Sequence, residues 1–217
     1  MKEQFAAMQD TAILDRGQTY WDAFYDRSIA PATASGFAEW ISGQIEVGAA
    51  LLDLACGNGR DARFFAERGH AVLALDQSLS AIEKARGAKS RARFLQADVA
   101  KARALMQDHF RADRMAVAYG RFMLHAIPSE TEAALLLDLS ECLPPRGLVA
   151  FEYRTLADAL LPKCHGNHYR RFIDHADLLS RLGDLGFDIL LETEGQGLAP
   201  YKEEDPVVGR VLARRNG

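Results

Sequence analysis

Short, almost uniformly apolar runs recur along the chain, separated by longer stretches in which apolar residues return every three or four positions. The runs lie at 50–55 (ALLDLA), 71–75 (AVLAL), 92–96 (ARFLQ), 114–119 (RMAVAY), 147–153 (GLVAFEY) and 187–193, with a last one near 206–213. Runs of that length without alternation suit strands covered on both faces. The intervening stretches at 33–46, about 60–68, 79–88, about 100–108, 129–142 and 175–185 have helical spacing. Gly69 stands where a helix would end, and Ser129 with Glu132 three residues later predicts a capping box. Strand and helix taking turns in this way predicts an α/β fold: a mostly parallel sheet with helices on both faces. Ligands of such sheets bind beyond the carboxyl ends of the central strands.

The first run breaks into the chain's most informative stretch, Asp53-Leu-Ala-Cys-Gly57-Asn-Gly59-Arg. Two glycines one residue apart let backbone approach a ligand without a side chain between them. With Ala62 in the third position the loop satisfies a dinucleotide fingerprint, G-x-G-x-x-A. Asp53 argues for a different ligand, because a carboxylate before the loop repels a pyrophosphate and attracts an ammonium. Asp76 closes the second strand, where a carboxylate takes ribose hydroxyls, and Asp98 follows the third, within reach of an adenine amino group. Three acids after three successive strands describe a pocket for adenosine carrying a cationic tail. Asp76 or Asp98 taken alone is more often a helix cap.

The ordered set DLACGNG, LALDQS, LQADV and AYGRFMLHAIP resembles the successive motifs of the class I S-adenosylmethionine-dependent methyltransferases, over residues 50 to 153. The resemblance implies a Rossmann-like seven-stranded sheet, mostly parallel, with an antiparallel last strand. It also implies S-adenosylmethionine as cofactor and S-adenosylhomocysteine as product. Asp53 and the backbone of Ala55, Gly57 and Gly59 would meet the methionine moiety, Asp76 with Gln77 the ribose, and Asp98 with Val99 the adenine. Tyr119, Arg121 and His125, after the fourth strand, would lie beside the transferable methyl.

Composition narrows the partners. The 217 residues are 48% apolar and 26% charged, the balance of a globular protein, and the formal net charge is −4. That charge provides no overall field for nucleic acid or an anionic membrane. AYGRF also departs from the Asn or Asp followed by Pro-Pro and an aromatic that base-amino methyltransferases carry after this strand. The cysteines, Cys56, Cys142 and Cys164, are widely spaced and form no zinc or disulfide pattern. No metal is expected. Charges interrupt the N-terminal stretch and nothing approaches the ~20 apolar residues of a membrane span, so a cytoplasmic protein, monomeric or homodimeric, is expected.

The expected layout is one domain: a helical lid at 1–46, a cofactor core at 47–153, an acceptor-side insertion at 154–174 and a C-terminal helix and strands at 175–217. In the lid, Tyr20, Trp21 and Tyr25 offer aromatic faces, with Trp21 expected over the cofactor and Tyr25 towards the acceptor. A helix burying those rings in the core is the alternative. His125 is a candidate general base, or a histidine packed at a helix start. Arg121, Arg154, Arg170 and Arg171, with His168 and Tyr169, suggest a small anionic acceptor, since the guanidinium fork matches carboxylate and phosphate. The combination of GRF-x-LHAI, EYRT and HYRRF has a further similarity to methyltransferases of surface-glycan and phosphorylated-metabolite clusters. It points to methylation of an oxygen on a small, sugar-linked or otherwise anionic molecule. An NAD-linked oxidoreductase and a non-catalytic cofactor-binding scaffold are the competing readings.

Overall fold

In the computed structural model, residues 19–27, 31–111, 113–163 and 169–217 are described. A helix α1 over 19–27 leads into α2 (Gly36–Ser42), after which strands and helices take turns as the apolar pattern predicts. The strands are β1 (Ala50–Leu54), β2 (Ala71–Asp76), β3 (Arg93–Gln96), β4 (Ala116–Arg121), β5 (Leu148–Arg154), β6 (Phe187–Gly195) and β7 (Val208–Arg215). The remaining helices are α3 (Arg60–Glu67), α4 (Leu79–Gly87), α5 (Arg103–His109), α6 (Ser129–Cys142) and α7 (His175–Asp184). The strands form one seven-stranded sheet in the order β3-β2-β1-β4-β5-β7-β6. β1 to β5 pair in parallel, and β7 is inserted antiparallel between β5 and β6. The expected fold class is what the chain adopts.

β1 is buried along its whole length, yet its side chains still divide by period two. Leu52 and Leu54 join Ala118, Phe151 and Tyr153 in a core closed by α5, α6 and α7. Leu51 joins Val117, Tyr119 and Ala150 in a second core closed by α2, α3 and α4. Asp53 shares the parity of Leu51 and therefore faces the second core, opposite Tyr119 in the β1–β4 register. Gly69, at φ 89°, ends the turn after α3 as its position in the sequence suggests.

Several expectations need correction. The helix expected at 100–108 is a 3-10 turn at Val99–Lys101 followed by α5, and the helix expected from 33 to 46 is confined to α2. The capping box is absent: no side chain caps α6, and the Ser129 hydroxyl donates to Glu130 instead. Glu132 is fully buried and taken up by two arginines, Arg171 of the acceptor-side segment and Arg181 of α7, the latter at 2.5 Å. A carboxylate with two guanidiniums in reach forms charge-assisted bonds stronger than the neutral bond of a capping box. Thr155 bridges Ile173 in parallel fashion, which closes the acceptor-side segment at its base.

Removing one member of a buried ion pair leaves the others uncompensated, at about 3–5 kcal/mol. Glu132→Ala is therefore expected to lower the unfolding free energy by that much in urea unfolding while leaving cofactor affinity within about twofold, since Glu132 lies on the α6–α7 face.

Candidate active site

The loop after β1 contains three residues in the left-handed region, Ala55 (φ 61°), Gly57 (φ 56°) and Gly59 (φ 75°). An alanine held there is strained backbone, a feature that concentrates at functional sites. Gly59 also has no room for a side chain, since a Cβ would come within 2.6 Å of Phe94 and 2.9 Å of Ala85. Asp76 holds the loop in place. Its Oδ2 accepts from the Gly57 amide at 2.8 Å and its Oδ1 from the Ser78 amide at 2.9 Å. Burial raises the Asp76 carboxyl to about 6, against the pull of those two amides.

Asp53 is buried under the same loop, and its Oδ2 has no hydrogen-bond partner among the described residues. Burial holds its carboxyl well above the usual range, with the charges of Asp61 and Asp76 adding to the effect. A buried carboxylate without a donor is costly unless something cationic completes it. The residues fit S-adenosylmethionine on this ground: Asp53 would take the ammonium, the amides of the glycine loop the methionine end, and Asp76 the ribose hydroxyls. Asp98 caps the Val99–Lys101 turn through Oδ1 and the Ala100 amide at 2.9 Å, so the capping role and the position after β3 coexist in one residue. The Gln77 carbonyl accepts from the Gln96 amide nitrogen at 3.2 Å, joining the ends of β2 and β3.

Of the aromatic residues of α1, Tyr25 is the one that reaches the glycine loop. Tyr25 lies against Gly57, where a Cβ would collide with its hydroxyl, and its phenol is pushed up by burial and by Asp76. Trp21 packs edge-on to Tyr20 and Phe24. α1 is fastened across the mouth by Asp22, which accepts from the Ser78 hydroxyl at 2.6 Å, and by Lys84, which donates to the Tyr25 carbonyl. Asn58 of the glycine loop donates to the Pro31 carbonyl at 3.0 Å, holding the segment between α1 and α2.

The residues expected to act on the acceptor have divided roles. Tyr119 is buried and donates its hydroxyl to Asp61 at 2.8 Å, which removes it from contact with reacting atoms and makes it a support of the site. His125 is buried, and its Nδ1 accepts from the Arg154 amide at 3.1 Å. An imidazole accepting at Nδ1 carries its proton on Nε2 when neutral, so it is arranged as a donor rather than as the expected general base.

Arg154 is buried and paired with Asp158 at 2.7 Å and Glu204 at 2.5 Å. Arg171 donates to the Ile127 and Leu124 carbonyls and to Glu132. Both were expected to hold substrate, and both instead stitch the acceptor-side segment to the sheet. Arg121 pairs with Glu152 at 2.7 Å, with its guanidinium over the Phe122 ring at 4.3 Å. Glu152 also accepts from Arg210 at 2.8 Å, so one fully buried carboxylate lies between two guanidiniums. Arg170 is half-buried near Arg154, Glu204, Asp158 and Tyr20, at the mouth between α1 and the acceptor-side segment, and Tyr169 beside it is exposed. His168 and Cys164 lie outside the described residues. Sequence reasoning missed Glu152, Asp61 and Arg210, whose spacing carries no signal because their partners come from other strands.

A strained glycine loop, a ribose-placed acid and an orphaned buried carboxylate on a β3-β2-β1-β4-β5-β7-β6 sheet define a nucleoside-binding α/β protein that takes a cationic ligand. A family model described as a methyltransferase domain matches residues 51–147. Malonyl-[acyl-carrier protein] O-methyltransferase of Salmonella typhimurium is 31% identical over 139 residues, 59% of this chain and 52% of that protein, so the chain spans about half the length of this relative. An S-adenosylmethionine-dependent methyltransferase from Anabaena variabilis superposes with a TM-score of 0.73 at 20% identity, over 93% of this chain and 94% of that one. Magnesium protoporphyrin IX methyltransferase from Synechocystis, with S-adenosylmethionine bound, gives 0.59 at 19% identity, over 82% of this chain and 76% of that one. Residues 51–147 thus match a methyltransferase domain, and the chain as a whole has the fold of S-adenosylmethionine-dependent methyltransferases.

Ribose hydroxyls donate best to an ionised carboxylate, so a ligand they hold binds the deprotonated form of Asp76. With the Asp76 carboxyl at about 6, affinity for S-adenosylmethionine is expected to fall as pH drops below that value, approaching about tenfold per unit. Isothermal titration between pH 5 and 8 measures this, and Asp76→Asn is expected to bind weakly with that slope removed.

Proposed function

We propose that this protein transfers the methyl group of S-adenosylmethionine to a carboxylate or phosphate oxygen of a small acceptor. The observation that carries the reading is the His125 imidazole: the Arg154 amide occupies the Nδ1 lone pair, so the neutral ring carries its proton on Nε2 and has no lone pair left to act as a base. An alcohol or amine acceptor needs a base to remove its proton, whereas an ionised carboxylate or phosphate oxygen is already a nucleophile. The O-methyl transfer in the name of the Salmonella relative supports an oxygen acceptor. The Arg121 guanidinium, partly exposed beside Glu152 at the end of β4, supports an anionic one.

The bound cofactor supplies a sulfonium-activated methyl; the chain's own part is alignment. Arg121, stacked on Phe122, marks the acceptor side of the glycine loop, and Phe122 is itself held at φ 58°. Arg170 and Tyr169 stand at the mouth, and Tyr20, Trp21 and Tyr25 of α1 form a lid over it. No helix among the described residues is long and apolar enough to cross a membrane, and a diffusible acceptor is the partner proposed.

Methyl transfer to a panel of small carboxylates and phosphates, followed by tritium from labelled S-adenosylmethionine, tests the acceptor class. With an active acceptor, kcat is expected to stay level between pH 6 and 9, and His125→Gln, which keeps a donor, to retain most of it. A rate that climbs with a pKa near ~6.5 and is lost in His125→Gln would restore the histidine as a base. Removing residues 1–30 is expected to weaken cofactor affinity at least about tenfold while the core stays folded; unchanged affinity would dismiss the lid.

A further inference from the structure

Asp61 opens α3 directly behind the glycine loop, is 5% exposed and has no place in the site as read from the sequence. Its carboxylate accepts from the Ser35 amide at 2.8 Å, the Ser35 hydroxyl at 2.7 Å and the Tyr119 hydroxyl at 2.8 Å. Three acceptances are the pattern of an ionised carboxylate, which offers acceptors only. Tyr119 stands beside Asp53 in the β1–β4 ladder and faces the same side of the sheet. Asp61 thus lies one tyrosine length behind the orphaned Asp53, close enough that its charge helps to hold the Asp53 carboxyl up.

The charges around this point are unequal. Asp53, Asp61 and Asp76 are carboxyl groups, opposed by Arg60, whose Nε is 3.6 Å from Asp61, and by Arg121, which is itself paired with Glu152. Methyl transfer changes the charge of the ligand in this field. The methyl donor carries an ammonium and a sulfonium against one carboxylate, net +1. When the methyl carbon bonds to the acceptor oxygen, the electron pair of its bond to sulfur stays on sulfur and leaves a neutral thioether, net zero.

We infer that Asp61 is a positioning residue whose buried charge selects the sulfonium donor over the neutral thioether product, without touching either. Coulombic energy falls only as the inverse of distance, and a carboxylate shielded from water keeps its reach. The three hydrogen bonds hold that charge at a set place behind the cofactor cradle, and Ser35 and Tyr119 serve as its anchors. After turnover the attraction to the sulfonium is gone while the rest of the contacts remain. Asp61 thereby favours exchange of spent product for fresh donor.

Isothermal titration of S-adenosylmethionine and S-adenosylhomocysteine into the wild type, Asp61→Asn and Ser35→Ala tests this. Asp61→Asn retains the shape and can remake the bonds to Ser35 and Tyr119, but removes the charge. It is expected to lower affinity for the donor about fivefold more than affinity for the product. Ser35→Ala removes the hydroxyl that donates to Asp61 and leaves the charge, so it is expected to shift both affinities by the same factor. Equal loss of both ligands in Asp61→Asn, or no loss of either, overturns the inference and leaves Asp61 as a clamp only. If Asp61→Asn does not fold by thermal melt, Arg60→Gln replaces it: removing the guanidinium beside Asp61 is expected to raise the donor-to-product ratio, and an unchanged ratio overturns the inference equally. Wild-type protein that bound neither compound would overturn the cofactor reading itself.

Discussion

The Asp76 carboxylate accepting the Gly57 and Ser78 amides is the contact on which the rest of the site depends. It ties the loop after β1 to the start of α4 across the top of two neighbouring strands. Residues 55, 57 and 59 can then stay in left-handed backbone, one of them an alanine. A loop at those angles has few intraloop hydrogen bonds to hold it, so its shape must be imposed from outside, and a buried acid with two lone pairs to spare does so. The same acid still has lone pairs for a ribose. Support of the loop thus leaves this side chain with acceptor capacity facing the mouth of the sheet.

Around that contact the protein keeps an unusual number of charges under cover. On the cofactor side they are the carboxyl groups of Asp53, Asp61 and Asp76, and on the acceptor side guanidiniums paired with buried carboxylates. Glu152 is the hinge between the two, since it restrains Arg121 from one side and Arg210 from the other. Arg210 in turn lies over Phe37 and Trp40 of α2, which couples the end of β7 to the helix following the lid. The carboxyl groups on the cofactor side present a surface of opposite sign to a cationic ligand.

The acceptor-side segment shows how far arginines can be read in a sequence. Four of them between 121 and 171 suggest anion binding, and Arg121 and Arg154 do meet, over the Phe122 ring. Arg154 and Arg171 nevertheless point inward, onto Asp158, Glu204 and Glu132. A guanidinium drawn into the interior is stable only with a carboxylate beside it, so these arginines were selected by their buried partners. The same competition removed the capping box of α6.

What the sequence by itself determined was everything that depends on neighbours along the chain. Uniform apolar runs and helical spacing specified the strands, their parallel arrangement and the place of the site beyond the strand ends. Gly57 and Gly59 specified the loop, and the places of Asp53, Asp76 and Asp98 at or just past the strand ends followed from strand length. The tertiary structure alone decided which polar side chains face each other across strands. It set Asp61 behind Tyr119, Glu152 between two arginines, Tyr25 rather than Trp21 against the glycine loop, and a backbone amide on the ring of His125. Local propensity follows from adjacent residues, whereas the charge and tautomer of a buried group follow from partners tens of residues away, and those meet only when the sheet is assembled.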